Sequence, residues 1–130
     1  MSRDLIEAAK QARLKAHAPY SKFFVGAAVR DEQGRVFAGC NVENAAYPQG
    51  WCAEPSAIAA LVMAGGKRVT EVAVMGNGDQ LCTPCGGCRQ KLREFAQDDV
   101  RIHCCTADGV LIRTFTLGEL LPFSFGPENL

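Results

Sequence analysis

The triplet Cys52-Ala53-Glu54 and the distant run Pro84-Cys85-Gly86-Gly87-Cys88 are where this chain can do chemistry. Cys85 and Cys88 are spaced to share one face of a helix. A thiol from Cys52 would complete a soft donor set suited to zinc. Three protein ligands leave the fourth tetrahedral position open to water, which separates a catalytic zinc from a structural one. Glu54 stands two residues beyond Cys52. Alone, it reads as an ordinary acidic residue in a helical first turn, where the helix dipole favours it. Beside a three-thiolate metal it reads as an acid/base group able to move the protons of an activated water.

The same residues admit a second arrangement. The chain also spells Cys82-x-x-Cys85-x-x-Cys88, so Cys82 can be read as the fourth ligand of a closed structural zinc. The spacing favours the open site and leaves the closed one standing. An iron–sulfur run fits less well, because no fourth Cys follows at short spacing. Cys40, Cys104 and Cys105 fall in apolar runs and are expected in the core. His17 and His103 are isolated and read as surface or core residues rather than ligands.

These groups need elements to position them. Residues 2–16 show the apolar spacing of an amphipathic helix, ended by Pro19. Residues 23–30 and 35–41 are apolar runs around Asp31-Glu32-Gln33-Gly34, a hairpin pattern. An Ala-rich helix is predicted over 52–64, stopped by Gly65-Gly66. Residues 71–75 read as a strand. Thr83 is the expected cap of a helix with Pro84 at its first position, running to about residue 95. Both metal-facing cysteine segments would then lie at helix starts, where free N–H groups stabilise thiolate. Strands are predicted over 100–105 and 110–115, then a short helix over 116–121 and a Pro/Gly-broken tail. The order α-β-β-α-β-α-β-β-α implies a mixed sheet between helices.

Bulk properties narrow the function classes. A length of 130 residues suits one domain, spanning 1–130, with a core that needs no disulfides. Apolar residues make up 48% and charged residues 22%, as in an ordinary globular protein. Fourteen basic residues balance fourteen acidic ones with no Lys/Arg block, so no footprint for nucleic acid is expected. No apolar leader or membrane-length run is present, which makes the cytoplasm the expected location. Seven cysteines, an odd count with three in one cluster, favour metal binding over disulfides.

Several stretches together resemble the small, homotetrameric cytidine deaminases. They are Ala18-Pro19-Tyr20-Ser21-Lys22-Phe23, Val25-Gly26-Ala27-Ala28, Gly39-Cys40-Asn41-Val42-Glu43-Asn44-Ala45-Ala46-Tyr47, Cys52-Ala53-Glu54, Pro84-Cys85-Gly86-Gly87-Cys88-Arg89-Gln90 and Glu119-Leu120-Leu121-Pro122. They run in order over nearly the whole chain, and the Cys-x-Glu with Pro-Cys-x-x-Cys pattern is a known zinc-deaminase signature. The resemblance implies a three-layer α/β/α sandwich with a five-stranded mixed sheet. It also implies hydrolysis of cytidine and 2′-deoxycytidine to uridine and 2′-deoxyuridine with release of ammonia, a reaction of pyrimidine salvage.

Position by position, the resemblance makes Cys52, Cys85 and Cys88 ligands of one zinc per subunit. Glu54 would accept a proton from the activated water, protonate N3 and assist the leaving amine. Asn41 and Glu43 would bind the ribose, Phe23 would pack near the base, and Tyr47 would belong to the sugar and subunit-interface region. Backbone N–H groups of Ala53 and Cys85 would sit near the base. Phe125 would reach a neighbouring subunit's site, making the protein a homotetramer with shared active sites. One position departs from the pattern: Pro55 follows Glu54 where many members carry an Arg that donates to the thiolates. Proline is tolerated in a helix's first turn, but a positive charge is lost, and Arg89 is left as the expected cationic partner of the thiolates. Competing readings are deamination of another cytosine compound, such as a blasticidin-type antibiotic, and a non-enzymatic binding module built on the closed Cys82 site. The intact Asn41-Val42-Glu43-Asn44 run argues for an ordinary nucleoside.

Overall fold

The computed structural model describes residues 2–130. In chain order the elements are α1 (Ser2–Arg13), β1 (Gly26–Asp31), β2 (Val36–Cys40), α2 (Ala53–Met63), β3 (Val69–Met75), α3 (Gly86–Arg93), β4 (Arg101–Cys105), β5 (Leu111–Thr116) and α4 (Leu117–Leu120). The strands form one sheet in the order β2-β1-β3-β4-β5. Only β3 and β4 run parallel, and α3 lies in the crossover between them. Alternation along the strands divides the core into two layers. Ala27, Val29, Val72, Val74, Ile102 and Cys104 face Ala57, Leu61 and Leu92 of α2 and α3. Ala28, Ala73, Met75 and Cys105 face Leu5 and Ala9 of α1 on the other side. The expected α/β/α sandwich with a five-stranded mixed sheet is therefore present.

Turn chemistry follows the sequence at two glycines. Gly34 closes the β1–β2 hairpin at φ +83°, and Gly65 follows the C-cap of α2 at φ +89°, conformations that cost glycine least. Thr116 caps α4 through a capping box with Glu119.

Four expectations are corrected. α1 ends at Arg13 rather than 16, because the chain tightens into turns and His17 N–H donates to Asn41 O at 3.0 Å. β1 begins at Gly26 rather than 23, because the N–H groups of Phe24 and Val25 are taken by the side chains of Asn77 and Asn41. The N-cap of α3 is Cys85, not Thr83, whose hydroxyl instead accepts Arg89 Nη2 at 2.9 Å. Cys40 is half-exposed on edge strand β2, whereas Cys104 and Cys105 are buried as expected.

Gly26 pairs with both Cys40 and Met75, and Met75 pairs with Cys105. One rim of the sheet thus gathers the C-terminal ends of β2, β3 and β4. The starts of α2 and α3 meet at this rim.

Candidate active site

Cys52 is the N-cap of α2 and Cys85 the N-cap of α3, each in extended backbone. Cys88 lies in the first turn of α3 and is buried. Their three sulfurs lie within 4.8 Å of one another, with Cys85 and Cys88 Sγ 3.4 Å apart. A tetrahedral zinc with bonds near 2.3 Å sets its sulfurs ~3.8 Å apart, so the cluster fits with adjustments of ~1 Å or less. Burial pushes the Cys52 and Cys88 thiols up. Burial acts the same way on Cys85, but the Cys88 N–H and the neighbouring thiols outweigh it and hold Cys85 below its ordinary value. Three thiols this close repel one another once ionised, and that donor set suits a divalent cation at two positive helix ends.

Cys82 falls outside this group among the described residues. Its sulfur packs against Gly76, 3.0 Å from where a Cβ there would stand. This weighs against the closed four-cysteine arrangement.

Glu54 occupies the first turn of α2 and is only 4% exposed. Burial raises its carboxyl above the ordinary range, against its own backbone N–H, the Cys88 thiol and the Lys91 charge. A carboxyl raised in this way beside a metal site is suited to taking and returning a proton. Pro55 follows within the first helical turn, where its missing N–H has no intrahelical partner to lose.

The cavity beside these groups is about 240 Å³. Phe23, Asn41, Cys52, Ala53, Glu54, Cys85 and Cys88 all line it, so seven of the residues singled out in the sequence converge on one space. Val25, Cys82 and Thr83 complete the wall and had not been singled out as lining residues. Glu43 and Tyr47 instead line a neighbouring hollow of about 390 Å³ with Tyr20 and Ser21. The Glu43 carboxylate accepts Tyr20 N–H at 2.9 Å and Ser21 N–H at 3.2 Å, together with the Ser21 hydroxyl. The Ser21 hydroxyl and the two N–H groups, headed by that hydroxyl, hold its pKa below the usual value. Asn41 accepts Val25 N–H at 2.9 Å and donates to Phe23 O at 2.8 Å.

Arg89 donates to Pro84 O at 2.7 Å, Leu120 O at 2.8 Å and Thr83 Oγ1 at 2.9 Å. All three acceptors are oxygens and none is a cysteine sulfur, so in place of the expected pairing with the thiolates Arg89 fastens the segment leading into Cys85 to α4. Phe125 is 58% exposed, and its carbonyl accepts Gln90 Nε2 at 2.9 Å. Sequence reading passed over Arg93, a buried arginine that donates to Ser124 Oγ at 2.8 Å and pairs with Glu128, tying the tail to α3. Nothing in its neighbours' spacing signals burial. His103 is buried on the α1 face, bonded to Thr114 and Glu71, and belongs to the core as expected.

Three thiols and a buried carboxylate, set at two helix starts on the rim of a mixed sheet, define a zinc-dependent hydrolase of the deaminase class. Residues 1–104 match the family described as the cytidine and deoxycytidylate deaminase zinc-binding region. The chain is 39% identical over 126 residues to a cytidine deaminase of Sporosarcina psychrophila, covering 97% of this chain and 92% of that one. It is 40% identical over 122 residues to a cytidine deaminase of Mycobacterium tuberculosis, covering 94% and 87%. A crystal structure of cytidine deaminase from Burkholderia pseudomallei matches with a TM-score of 0.88 at 42% identity, covering 96% of this chain and 99% of that one. The chain belongs to the cytidine and deoxycytidylate deaminase family.

Proposed function

We propose that this chain, as one domain over 1–130, hydrolyses cytidine and 2′-deoxycytidine to uridine and 2′-deoxyuridine with release of ammonia, as a step of pyrimidine salvage in the cytoplasm. The observation that carries the proposal is the shared cavity of Cys52, Cys85, Cys88 and buried Glu54. Zinc held by Cys52, Cys85 and Cys88 would supply Lewis-acid activation of water near neutral pH. Glu54 would accept a proton from the attacking water, deliver a proton to N3, and later help the amine leave as ammonia. Its burial keeps bulk water from competing for those protons. The Ala53 and Cys85 N–H groups lie at the helix starts, where such donors are free to meet a polar substrate edge.

Phe23 offers the base an apolar face. Asn41 keeps one amide proton for a sugar hydroxyl, and Glu43 keeps lone pairs for another. Tyr47 flanks the sugar side. Arg89 acts on the site by fixing the Cys85 segment. No described helix is long and apolar enough to cross a membrane, and the even charge balance suits a free nucleoside better than a polynucleotide.

The assembly we propose is a homotetramer with shared active sites. Tyr47 and Met63 expose 77% and 87% of their surface, and Phe125 projects from an anchored tail. Exposed apolar groups on fixed backbone are what subunit contacts use. The test is a spectrophotometric screen of cytosine, cytidine, deoxycytidine and cytidine monophosphate, with zinc quantified and mass measured by light scattering. Metal-dependent turnover of the two nucleosides by a tetramer supports the proposal. No turnover by zinc-loaded protein, or a monomer, contradicts it.

A further inference from the structure

Phe23 is held in place from outside the cavity it lines. Residues 22–25 precede β1 and make no strand pairing of their own, yet each has a backbone group tied down. Asn77 accepts Phe24 N–H at 3.1 Å and donates to Lys22 O at 2.8 Å. Arg13 Nη2 donates to Asn77 Oδ1 at 2.7 Å, and Arg13 Nε donates to Phe24 O at 3.1 Å and Gly76 O at 2.7 Å. From the other side Asn41 holds Phe23 O and Val25 N–H. Lys22 adopts φ +60°, a left-handed conformation that a non-glycine residue keeps only when its surroundings impose it.

The ring itself rests on bare backbone. A Cβ on Gly76 would stand 2.9 Å from Phe23 Cζ and 3.0 Å from Cys82 Sγ. A side chain at residue 76 would push the ring or the Cys82 sulfur from this position. Polar residues from the end of α1 and the loop after β3, joined by Asn41 beyond β2, therefore converge on one short segment. Its large cavity-facing side chain remains 43% exposed, so the fastening adds little to the core. It fixes an apolar face before any ligand arrives, and preorganisation of this kind lowers the cost of binding.

We infer that Arg13 and Asn77, with Gly76 as the seat of the ring, are positioning residues that set nucleoside affinity through Phe23. The inference rests on the reading of Phe23 as the surface against which the base packs. A group that holds substrate and transition state alike affects KM and leaves kcat unchanged. Asn77→Ala should raise KM for cytidine about tenfold, the scale of one base–aromatic contact. The inhibition constant of uridine should rise in parallel, with kcat held within about twofold and zinc content unchanged. Arg13→Lys, which loses the forked donor, should shift KM in the same direction. Asn77→Asp keeps both accepting bonds and should recover most of the affinity. It and Arg13→Lys also carry the test if Asn77→Ala does not fold.

Phe23→Ala separates the two layers of the argument. It should raise KM at least as much as Asn77→Ala, and the double variant should be no worse than Phe23→Ala alone, because the two act through one ring. If Phe23→Ala raises KM while Asn77→Ala and Arg13→Lys leave it unchanged, the positioning role is wrong and the base-packing role stands. Additive effects in the double variant also overturn the positioning role. If Phe23→Ala leaves KM unchanged, the base-packing role itself fails.

Discussion

Gly39→Ala places one methyl group where β2 meets the helix that carries Cys52 and Glu54. The new Cβ would stand 2.5 Å from Ala57 N, 2.5 Å from Ser56 Cβ and 2.7 Å from Ala53 O, against an ordinary contact of 3.4–4 Å. These atoms are backbone or Cβ, so no rotamer change relieves the clash. α2 must rise from the sheet by ~1 Å, and overpacking of this kind costs ~1–3 kcal/mol. At this chain length that is a fall in Tm of roughly 3–15 °C. The shift also carries Cys52 and Glu54 away from α3, and a misplacement of ~1 Å can cost about a hundredfold in rate. Calorimetry, zinc content and kcat on one preparation measure all three effects. Gly87→Ala is the control, because its Cβ meets nothing within 4 Å, and its Tm should stay within a few degrees of wild type. A Gly39→Ala protein with wild-type Tm and wild-type turnover would refute the claim that this glycine sets the α2–sheet distance.

Asp31 gives the acid side of the stability curve. Burial alone would raise its carboxyl, but the Arg35 guanidinium and the N–H groups of Arg35 and Gln33 outweigh it and hold the pKa below the ordinary value. The ion pair is therefore worth most above the unfolded-state value near 4, about where a free Asp titrates, and its contribution is lost as pH falls through the lower folded value. Asp31→Asn should lower Tm at pH 7, with the gap to wild type closing below about pH 4; a gap that stays constant down to acid pH would show that the ion pair is not its source. Cys82→Ala should keep its zinc and its activity while Cys85→Ala loses both, because three thiolates and one water complete the tetrahedron; loss of metal in Cys82→Ala would restore the closed site.

The fold was legible where one local rule governed. Gly65 stopped α2, Gly34 turned the first hairpin, and apolar strand runs in the order α-β-β-α-β-α-β-β-α pointed to a sheet covered on both faces. The thiol cluster was legible from the short Cys85–Cys88 spacing, although Cys85 is the N-cap of α3 and only Cys88 lies within the helix. At the misplaced boundaries a partner outside the local pattern takes a group that a local rule would assign elsewhere, as when Asn41 O takes the His17 N–H beyond α1. Asn77 and Asn41 take the N–H groups before β1, and Arg89 takes the Thr83 hydroxyl that looked like a cap. The role of Arg93 was hidden for the same reason, since its partners Ser124 and Glu128 lie on a tail whose Pro/Gly content suggests no fixed structure. Asn77 stands between Gly76 and Gly78, and nothing local told that it would face Arg13.

Glu54→Gln tests the central claim most directly. The amide preserves size and leaves the three thiols intact, so the variant should fold, bind one zinc per chain and still bind cytidine. Removing the acid/base group should lower kcat by about a hundredfold or more, with metal content measured on the same sample. Near-normal turnover of cytidine by zinc-loaded Glu54→Gln would contradict the account.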